Sequence, residues 1–301
     1  MKAIVFAAVI LATSAIQAAT ITAGPYGGMW HYGSTWVGGT VPTASDDVML
    51  DATSGNVIMR NTQFCRSLDC TGYTNKLTLN SGRYLLVGYM TEAAGTVVTF
   101  SPTMNLNSLV GAVIFCNAPG SGTHGVVTGG KVLPTLMGYN LELLDPLTTV
   151  DNGLYVFENF SSNDQPITVP ALWIYEGAVA DLGTSQINCG AFDAHPLSAL
   201  NATAADITVG SGYNFFHASH QFGTVKFARG QTYEIRGSSE FSAIELVGAS
   251  AATTIKFQGD TTTTLTGANP LPSGDAGGQL TLAGVPNYEE GGSGSTLWNV
   301  V

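Results

Sequence analysis

The sequence predicts an all-β protein, and more narrowly a right-handed parallel β-helix. Three observations predict it. Between Gly223 and Gly284 a charged residue sits four times between two apolar ones: Val225-Lys226-Phe227, Tyr233-Glu234-Ile235, Ile244-Glu245-Leu246 and Ile255-Lys256-Phe257. Alternation with period two gives a strand one buried and one wet face. Gly230, Gly237, Gly248 and Gly259 punctuate these runs, as turns between short strands require. The strand centres are spaced about one solenoid side apart, so three sides would close a coil of roughly 25–30 residues. A β-sandwich is the alternative, because it also strings short strands between turns; antiparallel neighbours would reveal it.

Composition agrees with one β-rich domain. Only 10% of the 301 residues are charged, while Gly alone supplies 37, which suits a surface of short strands and turns. The formal net charge is −11, with ten basic residues that do not cluster. Nucleic acid is therefore not an expected partner, since phosphate binding needs a Lys/Arg patch.

Taken in order, residues 1–19 read as a secretory signal peptide. Met1-Lys2 is a short positive start, Ala3 to Ala15 is uncharged and apolar, and small residues surround Gln17-Ala18-Ala19. Secretion or surface display is the expected location, and no later segment is long and apolar enough to span a membrane. Residues 20–50 are expected to cap the helix end. They hold an aromatic cluster, Tyr26, Trp30, Tyr32 and Trp36, and a turn at Gly38-Gly39 and Pro42 before Val48-Met49-Leu50.

Residues 51–301 are expected to form the coils. Leu77-Thr78-Leu79, Leu85-Leu86-Val87, Val97–Phe100, Val113-Ile114-Phe115, Leu141-Glu142-Leu143, Leu154–Phe157 and Leu172–Tyr175 are β-prone runs split by Gly, Asn and Ser. No amphipathic helix stands out. Near Ala194–Ala204, the least unfavourable stretch, Pro196 works against one. Trp298, beyond a Gly/Ser-rich tail, would fold back over the last coil or dock on another subunit.

The segment Trp36-Val37-Gly38-Gly39-Thr40-Val41-Pro42, followed by Asp46-Asp47-Val48, resembles the opening of secreted bacterial and phage-associated β-helix proteins of the pectin-lyase-like kind. The resemblance covers about 15 residues and implies architecture, with the Asp pair entering the first strand; it implies no chemistry.

Candidate chemistry is sparse. Tyr26, Trp30, Tyr32 and Trp36 could stack on a sugar, although for the tryptophans covering the open end of the core is the preferred reading. Asp46 and Asp47 could hold calcium, against a preferred Asx-type turn. Cys65, Cys70, Cys116 and Cys189 allow three disulfide pairings, with a local Cys65–Cys70 clip the nearest at hand; buried free thiols are equally compatible. His217 and His220 are spaced like two metal ligands without a third. Ser273-Gly274-Asp275-Ala276-Gly277-Gly278 resembles a serine-protease signature with Ala276 in place of the nucleophile, so no acyl-enzyme can form.

Two functional expectations follow. The first is a secreted, non-enzymatic structural or adhesive fibre protein with weak glycan contact, needing no cofactor and prone to end-to-end self-association through open sheet edges. Its partners would be polysaccharides or cell-surface glycans. The second is a polysaccharide-degrading enzyme on the same scaffold, a glycoside hydrolase or phage depolymerase, with Asp181 and Asp193 as catalytic carboxylates beside His195.

Overall fold

The computed structural model describes residues 19–88, 96–116, 122–210, 215–249, 251, 253–257, 262–266, 280–283 and 287–290. The leader at 1–18, Gly259, the Ser273–Gly278 motif and Trp298 lie outside the described residues. Strand pairs with strand in parallel throughout, which makes the molecule a parallel β-helix and not a sandwich. One isolated antiparallel bridge, Ala23 to Trp36, sits at the N-terminal end.

Each coil visits three faces. The first face is one nine-stranded sheet running from Thr20–Thr22 and Asp47–Met49 through Leu141–Leu143 to Ala199–Asn201. The second begins with Gly28–Met29, Val57–Met59, Lys76–Leu79 and Asn105–Ser108. The third begins with Gln63–Cys65, Tyr84–Val87, Val113–Cys116 and Thr135–Gly138. Residues 20–50 thus supply the first rungs of two faces as well as the closing segment.

Register follows from what must be inside. Leu147, Ile167, Ile187, Ile207, Val225 and Ile244 are partners on successive coils and all are buried. A one-residue slip would expose the whole column, so the hydrophobic pattern fixes the pairing. These partners lie 18–20 residues apart. Longer coils occur nearer the N-terminus, where Leu68 and Val98 are partners.

The expected coil of 25–30 residues is therefore too long for this half of the molecule. Lys226 partners Glu245, and Glu234 partners Lys256, so the four alternating runs are two faces of two coils and not four successive sides. The missing side is absorbed by strands that bend round a corner without a turn. Gln221–Ala228 and Glu240–Val247 join the first face to the second, while Ile167–Ile174 and Gln186–Ala194 join the second to the third. The same register sets Lys beside Glu on both outer faces, a favourable cross-strand arrangement.

Many of the turns that do occur are carried by glycine, and others by Asn140, Asn163 and Asp164. Gly153 has φ 114°, and a Cβ there would stand 1.9 Å from the carbonyl oxygen of Ala171 on the next coil. Buried tyrosines are satisfied in place: the Tyr73 hydroxyl donates towards the carbonyls of Gly55 and Lys76, both at 2.9 Å. At the N-terminal end Trp30 and Trp36 pack edge to face, centroids 4.9 Å apart, and the Trp36 indole N–H donates to the Trp30 carbonyl at 2.6 Å. All four cysteines are free and buried. Cys65 and Cys116 both flank Val87 inside the third face, whereas Cys70 follows a first-face strand, so no local Cys65–Cys70 clip exists.

Candidate functional site

The third face carries an outward column in which Phe115, Met137, Tyr155, Trp173, Asp193, His217 and Arg236 are successive register partners. Alternation puts them there: in Leu154-Tyr155-Val156 and Leu172-Trp173-Ile174 the aliphatic residues are buried and the ring between them is not. A second column runs along the corner just past each strand. The backbone N–H groups of Tyr139, Phe157, Tyr175 and His195 donate to Cys116, Gly138, Val156 and Ile174 on the preceding coil.

The rings of the two columns form one platform. Tyr155 and Trp173 lie 6.0 Å apart with planes 13° from parallel. Phe115, Tyr139, Phe157 and Tyr175 follow one another at 6.0, 5.2 and 4.7 Å between centroids. All are half-buried except Tyr175, which is exposed.

Both columns change chemistry at the same step, from Trp173 to Asp193 and from Tyr175 to His195. His217 Nδ1 stands 3.3 Å from Asp193 Oδ1, and His195 Nε2 is 4.0 Å from Glu176 Oε2. Burial raises the Asp193 carboxyl above its ordinary value, and the His217 partner works against that rise. Burial, with the Asp193 charge nearby, pushes the Tyr175 hydroxyl up as well. One coil further on, the Arg236 guanidinium lies over the Phe215 ring at 5.1 Å and pairs with Glu234 at 2.9 Å.

The coils that carry this site are one-sided in charge. From Val132 to Val225 the chain has nine Asp or Glu and no Lys or Arg. A polyanionic ligand would meet an unfavourable field along this length.

The expected candidates are distributed differently. Trp30 and Trp36 are 0% and 3% exposed, so neither can offer a ring face to a ligand; they belong to the core. Tyr26 and Tyr32 are exposed at the same end. Asp181 and Asp193 do not form a pair, since Asp181 stands on the first face and Asp193 on the third. The Asp181 carboxylate accepts from the Gly183 N–H and the Asn201 amide, at 3.0 and 2.8 Å. His195, by contrast, does neighbour Asp193.

The residues weighed as metal ligands engage protein partners. Asp46 accepts from the Thr43 N–H and hydroxyl at 2.9 and 2.6 Å, closing a turn. Asp47 is engaged by the Arg66 guanidinium and the Ser67 hydroxyl. His217 turns to Asp193, and His220 to the turn at 195–198. Among the described residues no group of three His, Cys, Asp or Glu could hold an ion. Arg66, Asp47, Asp69 and Thr96 line a groove of about 300 Å³ on the first face, where Arg66 pairs with Asp47 and Asp69 accepts from the Thr71 N–H.

Ser198 and His220 resemble a nucleophile and base at 3.1 Å. Yet His220 Nε2 also lies 3.2 Å from the His195 carbonyl, to which Ser198 donates at 2.7 Å. A nitrogen bonded to a carbonyl carries its proton and cannot accept another, so the pair pins a turn. The chain matches no family model, no curated protein and no solved structure.

Proposed function

We propose that this protein is an exported, non-enzymatic fibre or surface protein whose third face holds an extended polysaccharide. The aromatic platform carries the reading. Six rings from Phe115 to Tyr175 are kept at the wet positions of successive coils, where they stabilise the core least and remain accessible. Aromatic rings with polar tips suit contact with the apolar faces of sugars under water. Rungs of a sheet repeat every ~4.8 Å, so a ligand lying along the rod axis would meet a fresh ring at each coil. Export rests on the apolar leader, residues 3–15.

The test is a glycan array with reducing-sugar release measured on every binder. Binding without release, lost in Tyr155→Ala/Trp173→Ala and kept in Tyr26→Ala, supports the proposal. Release of reducing ends would replace it with the degradative alternative, and Asp193 would then be the first residue to change. Binding that survives loss of Tyr155 and Trp173 would move the site elsewhere.

A further inference from the structure

The step from Trp173 to Asp193 divides the platform into an aromatic length and an ionisable end. We propose that this junction is a subsite for a positively charged group on the ligand, the ammonium of an amino sugar, seated against Trp173 and Tyr175 and facing the carboxylates of Asp193 and Glu176. This rests on the polysaccharide reading above and names the sugar class.

Three independent observations support it. Aromatic faces attract cations electrostatically, more strongly where water is partly excluded, and Trp173 and Tyr175 belong to the coil immediately before Asp193. Asp193 is a half-buried carboxylate whose only ion-pair partner among the described residues is an imidazole, His217 at 3.3 Å, and not a lysine or arginine. The surrounding coils supply nine Asp or Glu and no Lys or Arg from Val132 to Val225, so a cation arriving at the junction meets a field of the right sign.

Charged and polar groups from four successive coils surround the site. They are Glu176 from the preceding coil, Asp193 and His195 from its own, His217 and His220 from the next, and Glu234 with Arg236 beyond.

The experiment is calorimetric titration of the full chain with glucosamine oligomers and N-acetylglucosamine oligomers of equal length. Wild type should prefer the charged oligomer by about tenfold or more. Asp193→Asn should remove the preference, while Trp173→Ala should weaken binding of both oligomers. Asp181→Asn removes the same charge from another face and should leave the preference intact. The subsite is overturned if wild type shows no preference, if the preference survives Asp193→Asn, or if Asp181→Asn abolishes it equally. Loss of all binding in wild type would instead overturn the polysaccharide platform itself.

Discussion

Trp173 and Leu172 are chain neighbours that do opposite work: Leu172 is fully buried between Leu154 and Phe192, while Trp173 lies outside between Tyr155 and Asp193. Truncating each therefore separates folding from binding. Leu172→Ala should cost about 2–5 kcal/mol, as a cavity in a packed column does. Trp173→Ala should cost about 1 kcal/mol or less, the scale of a cross-strand aromatic pair. Urea unfolding of both variants checks this. Equal losses would mean that the outer rings are structural first.

Glycines at two turns should differ in a predictable order. Gly177 has φ 77° with open space around it, so Gly177→Ala should cost about 1–2 kcal/mol of left-handed strain and no more. Gly153→Ala adds the collision with the Ala171 carbonyl and must move a neighbouring coil. Its thermal midpoint should fall clearly below that of Gly177→Ala; the reverse order would contradict the described packing.

Acid should weaken the fold through buried imidazoles. His124 is 1% exposed with its Nδ1 against the Thr96 hydroxyl, and burial lowers its pKa; burial lowers His220 likewise. A histidine favoured neutral in the native state stabilises above its unfolded value of about 6.5 and loses that contribution as pH falls. Urea midpoints should decline between pH 7.5 and 5.5, and His124→Gln should decline less steeply. Identical slopes would show that His124 is not a source of the effect.

Thiol chemistry gives a simple count. Burial pushes Cys116 and Cys189 up to about 12 and holds Cys65 and Cys70 high as well. Since the thiolate is the reactive form, a thiol reagent at neutral pH should label none of the four in the native protein and all four in denaturant. Adding reductant should leave the melting temperature unchanged. Fewer than four labels after denaturation would indicate a disulfide.

Much of the architecture was legible because charge and apolarity alternate sharply at Lys226, Glu234, Glu245 and Lys256, and period two is unambiguous there. Coil length was not, because the bend within Glu240–Val247 carries no glycine or proline to mark it, and a lone Gly223 within Gln221–Ala228 reads as an ordinary break between strands. The Asp46 turn could be read from its own side-chain chemistry. The platform could not, since Tyr155, Trp173 and Tyr175 count as apolar and their wet positions look dry. One signal was available: Tyr139, Phe157 and Tyr175 recur at intervals of 18, as do Tyr155 and Trp173. The tryptophans at 30 and 36 misled in the other direction, a conspicuous local cluster that turns inward. Asp181 and Asp193 are twelve residues apart, a distance that cannot reveal a face when sides differ in length.

The lysine- and arginine-free run has a consequence beyond charge. Trypsin cuts only after those two residues, so between Lys131 and Lys226 it finds no bond to cleave whether or not the chain is folded. Digestion should release residues 132–226 as one piece, and that piece holds every ring of the platform except Phe115. If the protein is exported as proposed, trypsin-like proteases are enzymes it would meet. The coils proposed to hold the ligand are the ones such enzymes cannot shorten.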